Sequence, residues 1–463
     1  MKSIAEHRVA AYWKIMHTLQ RSRNLVLRYG GSLDFSLCSR GCGVRIDANE
    51  LTLMKYLWLI VILIIPFLVL GCDGREGAES AEREFSAARD APAKQAGSSA
   101  ADIVQRSAAA DAYAPHPAAE PQPETKIQVY HGASDASAAV ALGEDMFVMA
   151  DDENNILRVY KIGGASPVYS YDVSEFLKIE QDHPEADIEG ATMIGRRVYW
   201  ITSHGRNKDG KVRPNRYRFF ATDVDADGGR IRIRPVGKPC STLLTGLLSL
   251  RAMRDLDLHK AAGFGLTNLS GKDIEDLAPK DEGLNIEGLC ASADGRTIYV
   301  GFRNPRPVDK LTGRAAALVV TLNNPADVIE QGNAPVFGDP ILWDLGGLGL
   351  RSMEYSTLHK AYFLVAGAHD ETSEFVLYRW SGRNDQQPEI LKQMSQSNFG
   401  PEALIPFPNS QMLLLLSDDG TLPVSVADPS QCVEGELNPD GTCPNKFILN
   451  PGSKTFRAIR LKP

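Results

Sequence analysis

Glu189, Glu287, Glu354 and Glu402 each stand at the head of an apolar run, in the fragments DIEGA, NIEGL, RSMEY and GPEAL. A carboxylate returned four times to one structural place has two chemistries open to it. It can accept backbone N–H groups and pair with arginine, or it can converge with its copies on a cation. A second apolar run follows each glutamate, and its tail is polar: Ser203, His204 and Arg206; Arg303 and Asn304; His369 and Asp370; Asp418 and Asp419. An earlier copy ends on Asp151, Asp152 and Glu153, with Asp135 and Ser137 where the glutamate would stand.

Several carboxylates gathered in one narrow place repel one another and lose hydration unless they are paired, protonated or bound to a cation. In the architectural reading Glu287 pairs with Arg303 and Glu354 with Arg351. In the metal reading Glu189, Glu402, Asp151 and Asp418, with Asp152 and Asp419 beside them, hold a hard cation such as Ca²⁺ through oxygen ligands. Glu287 leans to the first because its repeat supplies Arg303. Glu402 leans to the second, since its repeat supplies Asp418 and Asp419 and no nearby arginine. Two loops, HGRNKDGKVRPNR and RNPRPVDKLTGR, are basic, whereas DDENN and HDETSE are acidic. Arg206, Arg213, Arg303 and Arg306 are therefore candidates for holding an anionic ligand, and Glu287 and Glu354 are further ligand-binding candidates at the same mouth. His204 and His369 are candidate general bases, or hydrogen-bonded structural residues.

The elements that would bring these residues together are short β-runs. Behind the glutamate runs come RRVYWITSHGR, GRTIYVGFRNP, HKAYFLVAGAHD and SQMLLLLSDDG, then third strands NRYRFFATDV, AAALVVTL, EFVLYRW and TFRAIRLK. The earlier copy runs from SDASAAVAL through DMFVMADDE to ILRVYKI, and fourth strands are expected at PVYSYDV, RIRIRPV, PILWDL and PEILKQM. Four-stranded units repeated in one chain predict an all-β fold, a β-propeller. The count is five blades, with KIQVYH at Lys126 completing the last one; a degenerate sixth blade is the alternative. The stretch 241–278 has helical spacing, with Ser241 as its N-cap, and reads as an insertion. DVDADGG at Asp223 resembles a calcium loop but reads as a hairpin turn. In a propeller the head of each first strand lies beside the tail of the second, so all these charged residues fall around one channel mouth.

Upstream, Met54 and Lys55 precede an apolar run from Tyr56 to Leu70 that ends in Val69-Leu70-Gly71-Cys72. That is the layout of a signal peptide over 54–71, and its ending resembles a bacterial lipobox. Cys72 is then the lipidated first mature residue, with an uncleaved signal anchor as the alternative. Residues 1–53 are expected to lie upstream of the true start. Residues 72–125, rich in Ala, Ser, Pro, Glu and Asp, read as a disordered tether, and 126–463 as one repetitive domain. The address is the bacterial cell envelope, with membrane contact through Cys72 and a monomer expected. The net charge of −8 argues against nucleic acid. An exported compartment permits disulfides, and Cys432 and Cys443, bracketing VEGELNPDGT, are the expected pair; Cys240 and Cys290 are either a second pair or two thiols.

The fragments SDASAAVAL, ADDENNILRVY, DIEGATMIGRRVYWITSHGR, GLNIEGLCASADGRTIYVGFRNP and DLGGLGLRSMEY resemble the bacterial family known as domain of unknown function 3616. The resemblance implies a secreted propeller and no particular activity. A looser likeness, through glutamate-glycine at the blade starts, is to the phytase-like esterase propellers. Two functions are therefore carried forward. One is a lipid-anchored binding module whose charged mouth takes a ligand or an envelope protein. The other is a metal-assisted hydrolase, of phosphate esters, in which His204 handles a proton.

Overall fold

A computed structural model describes residues 126–226, 230–370, 374–394 and 398–463. The apolar run, Cys72 and the remainder of the chain before Lys126 lie outside the described residues.

The described chain starts on β1 (Gln128–His131) and then folds into four successive antiparallel meanders. Blade 1 is β2 (Ala138–Leu142), β3 (Met146–Ala150), β4 (Ile156–Lys161) and β5 (Tyr169–Asp172). Blade 2 is β6 (Ile188–Ile194), β7 (Arg197–Thr202), β8 (Phe219–Asp225) and β9 (Arg232–Cys240). Blade 3 is β10 (Asn285–Ala291), β11 (Ile298–Asn304), β12 (Ala317–Leu322) and β13 (Ile341–Trp343). Blade 4 is β14 (Gly349–Ser356), β15 (Ala361–Gly367), β16 (Phe375–Trp380) and β17 (Glu389–Gln393). Blade 5 starts with β18 (Gly400–Pro406) and β19 (Leu413–Asp418), breaks for the hairpin β20 (Pro423–Ser425) and β21 (Thr442–Pro444), and resumes at β22 (Thr455–Leu461). Its fourth strand is β1, with Gln128 opposite Ala458 and His131 opposite Thr455. The first strands pack in a closed ring, β2 on β6, β6 on β10, β10 on β14, β14 on β18 and β18 on β2.

The expected five-bladed propeller with an N-terminal closing strand is thus the architecture. A sixth blade is excluded because residues 241–284 contain only helical turns, Leu243–Ser249, Arg251–Arg254, Leu258–Ala261 and Lys272–Glu275. The first of these is capped at Thr242, one residue later than expected, and without a side-chain capping bond. The DVDADGG segment joins β8 to β9 as a hairpin, its residues 227–229 lying outside the described residues.

The strands read as continuous apolar runs because both faces of each blade are covered. In β7, Val198 and Trp200 enter the cluster shared with blade 1, and the alternate residues Tyr199 and Ile201 enter the cluster shared with blade 3. The pattern repeats at every blade interface. Trp343 of blade 3 meets Trp380 of blade 4, and Phe363 and Leu377 of blade 4 meet Leu404 and Leu415 of blade 5. Leu243, Leu247 and Met253 of the helical insertion extend the cluster between blades 2 and 3, which gives the insertion its apolar spacing.

Ring closure rests on an aromatic quartet between blades 5 and 1. Tyr130 of β1 stacks on Phe456 at 5.1 Å and meets Phe147 and Tyr160 edge-on, each at 5.4 Å. Tyr160 also donates its hydroxyl hydrogen to the carbonyl of His131 at 2.9 Å. The closing strand pairs over only four residues, so these side chains add to the hold of its ladder.

Candidate functional site

Strand pairing sets which charged groups meet. Ile188 lies opposite Thr202, Asn285 opposite Asn304, Gly349 opposite Gly367 and Gly400 opposite Asp418, so the heads of the first strands and the tails of the second share one end of the channel. Asp135 bridges to Asp418, which brings blade 1 to the same end.

Four first strands carry a β-bulge at this end. The register slips around Glu189, Glu287, Arg351 and Glu402, each being the extra residue in its pair. A bulged residue stands outside the ladder and its side chain is re-aimed, which is how a charged group at the head of a buried strand escapes both blade interfaces. Blade 1 has no such slip. The equivalence corrects the alignment at blade 4. Arg351, not Glu354, is the mouth residue there, and Glu354 lies three residues further along the strand.

Glu354, expected among the ligand-binding residues, is consequently absent from the mouth, and it does not pair with Arg351. Its Oε1 accepts from Thr192 at 3.3 Å and from the N–H of Tyr355 at 3.1 Å, while Oε2 is buried without a partner. Burial pushes its carboxyl up to about 8, against the two hydrogen bonds.

Arg351 neutralises one half of the mouth. Its guanidinium is buried between Glu287 at 3.1 Å and Glu402 at 2.7 Å. Glu287 also accepts from Arg303 at 3.0 Å and from Asn285 at 2.7 Å. The staple expected between Glu287 and Arg303 is therefore present. The expectation that Glu402 lacks an arginine is overturned, because the arginine comes from the neighbouring blade. Burial and then Asp418 still hold the Glu402 carboxyl up at about 8.

The other half is acidic. Ligand oxygens of Asp152, Asp187 and Glu189 lie within 4.8 Å of one another, and so do those of Asp135, Asp152 and Glu153. Burial and then neighbouring carboxylates push Asp135, Asp152 and Glu189 well above the usual range. Glu185 is raised to about 7 by burial and Asp187. The nearby cations are already engaged. Arg216 binds Glu185 and, at 3.0 Å, Asp187; Lys446 binds Glu153 at 2.7 Å. Gly420 donates its N–H to Asp135 at 2.6 Å and to Asp418 at 3.0 Å. A Cβ on Gly420 would stand 2.1 Å from Asp135 Oδ1, so only glycine lets the backbone approach the carboxylates this closely.

The remaining metal candidates are satisfied within the fold. Asp151 accepts the N–H groups of Ser134 and Glu153, each at 3.0 Å, and Asp418 is held below the usual range, against burial, by the Asp135 side chain and Gly420. Asp419 is locked to Arg457 at 2.6 Å, which makes it a strut of blade 5 and not a mouth ligand. Sequence reasoning passed over Asp187, Glu185 and Lys446, and counted Arg216 only among the charges of the basic loop HGRNKDGKVRPNR. Asp187 had a signal in DIEGA, beside the glutamate; Lys446 had none, since it sits outside the repeat.

The expected disulfide is present. Cys432 and Cys443 are bonded across the hairpin that interrupts blade 5, and Asn445 anchors its base by donating to the carbonyls of Asp419 at 3.1 Å and Thr455 at 2.6 Å. This hairpin delivers Lys446 to the mouth. Cys240 and Cys290 are both free thiols.

The basic residues are less open than their loops suggested. Arg206 donates to Gly210 and Ala262, turning towards the helical insertion, and Arg213 donates to the carbonyl of Val212. Arg303 reaches the Asp370 carbonyl at 3.1 Å, and Arg306 reaches the Gly347 carbonyl. His369 is held below its ordinary value by burial and then Arg306. His204 is enclosed at 1% exposure; its Nδ1 lies 2.9 Å from the Thr202 carbonyl, and burial pushes it down to about 4. A separate groove of about 760 Å³ lies by β1, lined by Gln128, Gly164, Lys392 and Arg460, and touches none of the mouth residues.

The chain matches the family described as a protein of unknown function (DUF3616) over residues 135–219 and 268–411. No functionally curated protein matches it. Among solved structures it is similar to a putative oxidoreductase (glucose dehydrogenase) from Thermus thermophilus, at 13% identity and a TM-score of 0.35, covering 73% of this chain and 100% of that one. It is also similar to the aldose sugar dehydrogenase of Streptomyces coelicolor, at 10% identity and a TM-score of 0.32, covering 73% and 100%.

Proposed function

The chain belongs to that family of unknown function, and we propose that it is an exported, lipid-anchored binding module whose channel mouth takes an anionic ligand. The observation that carries this reading is a set of unused donors. Arg303, Arg306 and Arg351 each have a buried Nε–H without a hydrogen-bond partner, and all three stand on strand ends or loops of blades 3 and 4 at the mouth. Folded proteins leave few buried polar atoms unsatisfied, so three guanidinium donors at one end of one channel call for an acceptor from outside the chain.

Export is supported by the apolar run before Cys72 and by the Cys432–Cys443 disulfide. The anchor is proposed as lipid at Cys72 because the apolar run ends in the lipobox-like Val69-Leu70-Gly71-Cys72. A hydrolase would use His204 or His369 as its proton carrier. His204 is enclosed at 1% exposure, and no observation favours hydrolysis over binding.

The test is thermal unfolding with inorganic phosphate, a phosphomonoester and a uronate, on the parent and on Arg306→Ala and His369→Ala. At least one anion should raise the Tm of the parent in a concentration-dependent way. Loss of a charge-assisted bond worth about 1.5–3 kcal/mol should weaken that anion roughly tenfold or more in Arg306→Ala. A panel that leaves the parent unmoved, or an unchanged affinity in Arg306→Ala, would refute the reading.

A further inference from the structure

We propose that the acidic half of the mouth is a site for one hard divalent cation of the calcium class, ligated by Asp152, Asp187 and Glu189. The inference rests on the reading of the mouth as a binding surface and adds its inorganic occupant. It starts from geometry. One oxygen from each of the three carboxylates lies within 4.8 Å of the others, close enough for a single ion to bridge them.

Clustering alone is common on protein surfaces. The second observation is that the groups aimed into this cluster are unpartnered. Glu189 is nine-tenths buried, at 9% exposure, yet among the described residues it accepts no hydrogen bond and meets no cation in a salt bridge. Oδ1 of Asp152 is buried with no partner at all. On the other half of the mouth the bulged glutamates are paired, Glu287 and Glu402 both with Arg351. Asp187 gives one oxygen to Arg216 and keeps the other.

The donor set selects the ion. All three ligands are carboxylate oxygens, with no histidine nitrogen or cysteine sulfur among them, which suits calcium over zinc or copper. Calcium takes six to eight oxygens, and three carboxylates supply roughly three to six, so positions remain for water or an acidic ligand. Asp135 and Glu153 stand beside the site through the second triad, which shares Asp152. An ion there would face the unpaired Nε–H groups across the mouth, and one ligand could be bound through its charge from both sides.

Protonation is the competing way to relieve the crowding, and the experiment must separate the two. Full-length protein in detergent is stripped with chelator, dialysed at pH 7 and titrated with CaCl₂ by calorimetry and by thermal unfolding, alongside Glu189→Gln, Asp152→Asn and the control Glu402→Gln. The parent should bind one Ca²⁺ per chain, with proton release and a rising Tm. Glu189→Gln and Asp152→Asn should lose roughly tenfold or more in Ca²⁺ affinity, while Glu402→Gln keeps it. In the absence of calcium Glu189→Gln should unfold no earlier than the parent, because an unpartnered carboxylate has been replaced by its neutral isostere. The inference is overturned if the parent shows no heat and no Tm shift, if both variants bind like the parent, if Zn²⁺ binds in preference to Ca²⁺, or if Glu189→Gln fails to fold without metal. Phosphate binding that survives in a parent without calcium affinity would overturn the cation site alone. Calcium binding without any anion response would sustain the cation site and remove the anionic ligand.

Discussion

Glu354→Gln should stabilise the protein, and by an amount that grows with pH. Glu354 is held at about 8 by burial, against an ordinary value of 4.5. The sign follows from linkage. A carboxyl raised on folding contributes its stability below the unfolded value, near 4.5, and loses it as pH rises through the folded value, near 8. At neutral pH the folded protein must keep a proton that the unfolded chain releases. At about 1.4 kcal/mol per unit, that costs about 1 kcal/mol at pH 5, about 2 at pH 6 and about 3 at pH 7.

Glutamine escapes this term and retains the rest. Its Oε1 can still accept from Thr192 and from the N–H of Tyr355. Its amide N–H₂ takes the place of a protonated Oε2 that is already buried without a partner, so one unsatisfied donor is exchanged and one is added, a cost that trims the gain but does not change with pH. Denaturant unfolding of parent and variant at pH 5, 6, 7 and 8 measures the difference directly. A widening gap of about 1 kcal/mol per pH unit is expected. A variant that is less stable at pH 7, or a difference that does not change with pH, would refute the argument that Glu354 folds as the neutral acid.

The closing strand gives a second prediction. Tyr130→Ala removes a fully buried ring from the quartet with Phe456, Phe147 and Tyr160, and should cost about 3–5 kcal/mol in denaturant unfolding. The exposed neighbour Val129→Ser should stay within about 0.5 kcal/mol, and equal losses at both positions would show that the ladder rather than the quartet closes the ring. For the anchor, expression with globomycin should accumulate an unprocessed form, and mass spectrometry of the untreated protein should place diacylglycerol on Cys72; a mature chain that retains the residues before Cys72 would exclude it.

The blades were legible because each one repeats the same economy of short apolar runs separated by tight turns, and because a strand covered on both faces cannot hide its length. The glutamates were legible as mouth residues in three of their four places. The fourth failed for a physical reason. In RSMEY the arginine and the glutamate are three residues apart, and only the slip of register between Leu350 and Ser352 tells which of them leaves the ladder. Alternation gives no guidance where both faces are apolar. The partner of Glu402 was missed because Arg351 is 51 residues away, on the adjacent blade. The fold brings such pairs together through the closed ring, and a reading confined to one repeat does not see them. Lys446 was beyond reach for a different reason, since it arrives on a disulfide-bonded hairpin that belongs to no blade.

That single arginine also accounts for the division of the mouth. Of the four bulged positions three are glutamates, and their burial at one channel end would force protonation or unfolding if all three stayed ionised and alone. Arg351 stands on blade 4, between blades 3 and 5, so it reaches Glu287 on one side and Glu402 on the other. Glu189, on blade 2, is beyond it. On its own side Glu189 meets Asp187 and Asp152, whose nearest cation, Arg216, is already spent on Asp187 and Glu185. One residue type at one bulge thus leaves half of the ring neutral and half in need of positive charge. A glutamate in place of Arg351 would have made the ring uniformly acidic, and an arginine in place of Glu189 would have closed the acidic half. The carboxylates that the fold leaves without a cation of their own are therefore localised to blades 1 and 2, where oxygens of Asp152, Asp187 and Glu189 lie within 4.8 Å of one another.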